Sequence, residues 1–207
     1  MGVPKRRVNQ LVAEHGLRFL LREDYGIHGS AWTRPGFRAI ASYRVAVWAH
    51  GLKNPLLRLV FVRVGRMMLR RVRNRYGIEL YHTASIGRRF LIGHQNGIVI
   101  HRYATLGDDC VVRQGVTLGA GGVRRLEEKG YFQESAPVVG NRVDFGAGSM
   151  VVGKVRIGDD VNIGPNAVVI TDVPPHATVM APMSKMMQRP KPSEPSVPVA
   201  SAPILSA

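Results

Sequence analysis

An apolar residue recurs at every sixth position from Val139 to Val169: Val139, Phe145, Val151, Ile157, Ile163 and Val169. A period of six fits neither the 3.6 of a helix nor the 2 of a free strand, so the repeat belongs to a larger unit. Four of the six are followed by glycine, and Val152 and Ile170 follow the other two. Six residues make one side of a coil, and three sides make one turn of a prism filled by the stacked apolar residues. The repeat therefore predicts a mainly β protein, a parallel β-helix of hexapeptide type.

The same frame extends upstream. The array begins near Glu79, and Ile86, Ile92 and Ile98 are six apart. Ile100, Leu106, Val112 and Leu118 are again six apart, so the frame slips by two residues before Ile100. Between Leu118 and Val139 the stretch 120–136 is polar and glycine-rich and reads as a loop extruded from one corner. The array is expected to close after Val169, where Pro174 and Pro175 remove ladder donors. Residues 79–187 form the prism domain in this reading. Residues 188–207, rich in Pro, Ser and Ala, form a disordered tail. The lone Cys110 occupies the small inward position held in other hexads by Ser149 and Ala167, which points to packing rather than reactivity.

The segment 1–78 is different in kind. It carries 16 Lys and Arg against 3 Asp and Glu, whereas residues 79–207 carry 13 against 11. A short helix is expected within residues 1–24, then loop, a helix from Phe37 to Gly51, and an amphipathic helix over about 55–74. In the last, Leu57, Val60, Phe61, Val64, Met68 and Val72 share a face, and Arg63, Arg66, Arg70 and Arg73 follow at helical spacing on another. Those arginines suit an anionic membrane surface, a phosphorylated acceptor or plain solvation. Nucleic acid is not expected, because charge is its sole argument and no recognition motif accompanies it. Residues 1–22 show no secretory core, and arginines interrupt the most apolar run, Leu56 to Leu69. With a single cysteine, these features lead to an expected cytoplasmic location, peripheral at the membrane if the arginines dock there.

An apolar prism is inert inside, so chemistry belongs to its surface, its loops or the space between prisms. His94 stands in Gly93-His94-Gln95-Asn96-Gly97, between glycines that permit close approach of another group. Histidine is the usual general base for deprotonating a hydroxyl. Metal catalysis is not expected, since His82, His94 and His101 are spaced by twelve and seven rather than as a ligand set.

From about Pro35 to Met187 the chain resembles the serine acetyltransferases. The matching residues are Pro35-Gly36-Phe37, Tyr43-Arg44 and Trp48, then His94 with Gly97-Ile98-Val99-Ile100. They continue through Gln114-Gly115-Val116-Thr117-Leu118-Gly119, Phe145-Gly146-Ala147-Gly148, Ile163-Gly164 and Asp172-Val173-Pro174. The resemblance implies a left-handed β-helix, acetyl-CoA as co-substrate and a homotrimer with its site shared between two subunits. It also implies that His94 takes the acceptor's proton and that Glu79, fifteen residues earlier, orients the imidazole. Thr117, Gly119, Ala120 and Ala147 are the implied contacts to the cofactor arm and oxyanion, with Lys185 a candidate for a cofactor phosphate.

Two departures bear on the acceptor. Where the family has an aspartate before the histidine this chain has Gly93, and where it has Arg-His-Pro after the loop this chain has Ser135-Ala136-Pro137. Those charged groups hold the zwitterion of serine, and a desolvated zwitterion needs such partners. The chain also looks like acetyltransferases of polysaccharide precursors, so a sugar hydroxyl is the expected acceptor. The alternatives are serine, as in cysteine biosynthesis, and a non-catalytic scaffold docking on membranes.

Overall fold

A computed structural model of the chain describes residues 10–121 and 135–187. Most of the expected loop 120–136 and the whole expected tail 188–207 lie outside the described residues.

Short parallel strands form three faces. Face one runs β1 (Ile78–Glu79), β4 (Ile98–Ile100), β7 (Thr117–Gly119), β10 (Met150–Val152) and β13 (Val168–Val169). Face two contains β2 (Ser85–Ile86), β5 (Thr105–Leu106), β8 (Val138–Val139) and β11 (Arg156–Ile157). Face three contains β3 (Leu91–Ile92), β6 (Val111–Val112), β9 (Asp144–Phe145), β12 (Asn162–Ile163) and β14 (Thr178–Val179). The architecture is a left-handed parallel β-helix with an N-terminal helical segment.

The six-residue register is the register of the core. Val139 pairs with Ile157 on face two, Phe145 with Ile163 on face three and Val151 with Val169 on face one. All six are buried, because each strand turns one side chain inward and coils stack about 4.8 Å apart. The slip of two residues belongs to β4, which turns both Ile98 and Ile100 inward: Ile98 meets Ile78 and Ile100 meets Leu118. Cys110, Ser149 and Ala167 are all buried in the small inward positions.

The array does not close at the prolines. Val173 bridges Ile157, and β14 pairs with β12 beyond Pro174 and Pro175. The prolines fall at a corner, between Val173 and the turn at His176, where no ladder donor is required.

Four helices precede the prism: α1 (Gln10–His15), α2 (Leu17–Ile27), α3 (Pro35–His50) and α4 (Pro55–Tyr76). The expected single helix before residue 24 is thus two, separated by Gly16 at φ 78°, and α2 continues through Gly26. Pro35 and Pro55 open their helices at the first turn, where no N–H is missed. Asn54 caps α4 by accepting from the Leu56 and Leu57 amides, and Gly77 ends it at φ 62°.

Buried polar contacts fasten the helices to the first coil. Arg44 bonds Asp24 at 2.9 Å and donates to the carbonyls of Ile86 at 2.9 Å and Gly87 at 2.6 Å. Tyr43 donates to the Ala84 carbonyl and accepts from the Ile86 amide. Nε2 of His28 accepts from the Ile92 amide. A methyl at Gly65 would lie 2.8 Å from the Ala46 backbone, so α3 and α4 cross in contact there. The apolar face expected for α4 is only partly covered in this chain. Val72 is buried, Phe61, Val64 and Met68 are half-buried, and Leu57 and Val60 are exposed, because α3 meets the middle of α4 and leaves its N-terminal turns open.

Candidate active site

His94 lies in the corner that carries the chain from β3 on face three to β4 on face one, with its side chain exposed. That corner is a column. The Gly115 amide donates to Asn96, Gly148 to Gln114 and Asn166 to Ala147, so successive turns stack with their backbones in contact. Gly97, Gly115 and Gly148 all have positive φ, and a methyl on Gly115 would lie 3.1 Å from the Gly148 Cα. Small residues here keep the surface beside His94 low. Ala147 is in the same column two turns from the His94 turn, about 10 Å along the prism.

Glu79 enters from β1 at the end of face one. Its register partner is Val99, followed on the same outward row by Thr117, Met150 and Val168. The Asn96 and Ile98 amides donate to the carbonyls of Tyr76 and Gly77, so the segment leading into Glu79 lies directly against the His94 corner. Oε1 of Glu79 accepts a hydrogen bond from the Tyr81 hydroxyl. No hydrogen bond joins Glu79 to His94 in this isolated chain among the described residues. Catalytic hydrogen bonds are often open before substrate binds. The bond to Glu79 pushes the Tyr81 phenol up, with burial adding to it.

Of the other sequence candidates, Thr117 points outward on face one, and Gly119 and Ala120 lie at the opposite edge of that face, where the chain leaves for residues 122–134. The structure thus places His94 and Ala147 along one edge of face one and Gly119 and Ala120 along the other. Lys185 is exposed beyond β14, remote in the chain order from the first coil. His82 stacks on His50 with ring centroids 4.0 Å apart, and burial, with His50, Arg66 and Arg102 nearby, lowers its pKa to about 4. Nδ1 of His101 accepts from the Tyr103 amide. Among the described residues no three His, Cys, Asp or Glu side chains gather as metal ligands.

Between α4 and the first coil lies a cavity of about 240 Å³, lined by Arg66, Leu69, Arg70 and Arg73 of α4 and by Glu79, Leu80, Tyr81 and His82, the last three in the corner that follows β1, across face one from the His94 corner. From the sequence, Glu79 and the arginines stand out separately, His82 is weighed only as a metal ligand, and Tyr81 is not singled out. The one signal for Tyr81 is its adjacency to Glu79, since it belongs to no periodic pattern. Arg63, the fourth arginine of the stripe, does not line the cavity.

Comparisons with known proteins agree on one group. The chain is 36% identical over 155 residues to the serine acetyltransferase of Helicobacter pylori, a match covering 75% of this chain and 82% of that one. It is 34% identical over 155 residues to the Synechococcus elongatus serine acetyltransferase, covering 75% of this chain and 58% of that longer relative. Among solved structures it is similar to serine acetyltransferase isoform 3 of Entamoeba histolytica in complex with cysteine. That match has a TM-score of 0.67 and 25% identity, and covers 88% of this chain and 68% of that one. The Neisseria gonorrhoeae serine acetyltransferase gives a TM-score of 0.65 and 25% identity over 87% and 69%. No family model matches the chain.

Proposed function

We propose, since the chain belongs to the serine acetyltransferase family, that it transfers an acetyl group from acetyl-CoA to an acceptor hydroxyl. The observation that supports this reading is an exposed imidazole, His94, on a corner kept low by glycines, against which Tyr76 and Gly77, the residues leading into β1 and Glu79, are hydrogen-bonded.

In this mechanism the neutral imidazole of His94 takes the acceptor's hydroxyl proton as the oxygen attacks the thioester carbonyl carbon. The tetrahedral intermediate collapses, the C–S bond breaks, and the CoA sulfur leaves with the proton returned by the imidazolium. General-base assistance of this kind is worth roughly 100- to 10,000-fold. Glu79 acts as the positioning carboxylate, which requires it to reach His94 while keeping or exchanging its bond to Tyr81. Thr117, Gly119, Ala120 and Ala147 line the course proposed for the pantetheine arm along face one, and Lys185 is proposed for a cofactor phosphate. Transfer is direct, because Cys110 is buried and burial pushes its thiol up to about 11, which leaves it no thiolate to carry an acyl group. A homotrimer, with a neighbouring prism closing the groove, completes the proposed site.

The relatives support serine as the acceptor, ahead of the sugar expected first from sequence. One observation keeps the sugar as a second reading: the positions of the family's serine-holding charges are occupied by Gly93 and by buried, uncharged Ser135 and Ala136. Docking on an anionic membrane through Arg63, Arg66, Arg70 and Arg73 also remains a proposal, supported by the exposure of Leu56, Leu57, Leu59 and Val60 on the same helix. Among the described residues no helix is long and apolar enough to cross a membrane.

The deciding experiment measures CoA release from acetyl-CoA with serine and with a panel of sugars, for the wild type and His94→Ala. Acetyl transfer to an accepted hydroxyl should fall by at least 100-fold in the variant. Undiminished transfer would remove His94 from the mechanism, and a wild type without saturable acetyl-CoA binding would favour the non-catalytic scaffold.

A further inference from the structure

We infer that the cavity between α4 and the first coil is a binding subsite for a phosphate group carried by the acceptor. Arg66, Arg70 and Arg73 fall on one stripe of the helix and converge on one concavity. Among the described residues none of the three pairs with a carboxylate, whereas Arg44, Arg88, Arg89, Arg113 and Arg142 each do. A fourth cation, Arg102, stands over the Tyr81 ring at 5.2 Å.

The opposing charge is small. Among the described residues Glu79 is the one acid in the wall, and it is engaged by Tyr81. His82 is neutral near pH 7 and can donate or accept without adding charge. Three guanidinium groups against one carboxylate leave the wall with a surplus of two positive charges, which a phosphate dianion would neutralise. The zwitterion of serine brings no net charge and would place its ammonium among arginines. Guanidinium forks match the oxygens of a phosphate in paired hydrogen bonds, and the half-buried His82 supplies a further donor. The volume of about 240 Å³ has room for a phosphate with part of a sugar ring.

The position gives the subsite its meaning. Glu79 forms both a wall of this cavity and the carboxylate proposed to orient His94, so a phosphate held by the arginines anchors the acceptor on the first coil. The assignment to the acceptor rests on the acetyl-transfer reading; the phosphate subsite itself does not. The subsite thus deepens the second reading of the acceptor: a sugar carrying a phosphate, with its phosphate at α4 and its hydroxyl directed across face one toward the His94 corner.

The test is calorimetric titration of the full chain with inorganic phosphate, glucose 1-phosphate and glucose, in the wild type, Arg66→Gln/Arg70→Gln, and Arg58→Gln as an exposed control on the same helix. The wild type should bind both phosphate compounds and not glucose. The double variant should lose at least tenfold in affinity with an unchanged melting temperature, and Arg58→Gln should lose less than twofold. Equal binding by the wild type and the double variant would show merely solvated arginines and overturn the proposal. A loss of acetyl-CoA affinity in the double variant, matching the loss for phosphate, would give the cavity to the cofactor and overturn its assignment to the acceptor. These binding readouts need no turnover, so failure of acetyl transfer in the CoA-release assay is distinguishable from failure of the subsite.

Discussion

The Tyr81 hydroxyl donates a hydrogen bond to Oε1 of Glu79, so the carboxylate proposed to steady His94 is already held on one side. A carboxylate has two oxygens and several acceptor sites, so it can keep Tyr81 while the imidazole N–H takes another. Tyr81 then fixes the rotamer of Glu79. Tyr81→Phe should lower kcat for acetyl transfer about tenfold with the KM for acetyl-CoA unchanged. That is the scale of one hydrogen bond to a charged group, about 1.5 kcal/mol. Steady-state kinetics decide it, and a rise in kcat would mean that Tyr81 competes with His94 for the carboxylate.

The pair Arg44 and Asp24 is buried at 1% exposure on both sides, and Arg44 also closes the carbonyls of Ile86 and Gly87. Arg44→Leu should cost about 3–5 kcal/mol in urea unfolding, since it strands a buried carboxylate. The double variant Arg44→Leu/Asp24→Leu should cost less than the single one. If it costs more, the two residues stabilise the fold independently and the uncompensated charge is not the cause.

Acid should weaken the fold before the carboxylates titrate. Burial lowers the pKa of both His28 and His82, the latter to about 4, so the folded state prefers them neutral while the unfolded chain takes up protons near 6.5. Stability from these groups is therefore full above pH 6.5 and is lost as pH falls toward 4. His82 is only half-buried, so its share is about 1–2 kcal/mol. Below that range Glu23, whose carboxyl Arg88 holds low, adds a further loss in the same direction. Thermal melts from pH 8 to 4 should show the decline, and His82→Gln should flatten its middle part. An unchanged slope in the variant would place the titration elsewhere.

The inner wall was legible because its rule is local. Each of Val139, Phe145, Val151, Ile157, Ile163 and Val169 needs only to face inward from a two-residue strand, and the slip at Ile98 and Ile100 is one strand with two inward residues. The importance of the motif Tyr43-Arg44 was visible, but its reason was not: the two side chains reach carbonyls more than forty residues away. His28, which accepts from the Ile92 amide across 64 residues, carried no sequence signal. The end of the array differs from the sequence expectation for a related cause: the ladder rule applies to strands, and Pro174 and Pro175 sit at a corner outside them.

By itself the sequence determined the prism, its period, its small inward positions and the basic helical segment before it. Those follow from repetition and charge, which act at short range along the chain. Only the tertiary structure decided that Arg66, Arg70 and Arg73 face Tyr81, His82 and Glu79 across one cavity, and that Glu79 accepts the hydrogen bond of Tyr81 there. Contacts between α4 and the first coil depend on the angle at which Gly65 lets two helices cross and on where Gly77 turns the chain into β1. A repeat in sequence encodes neither.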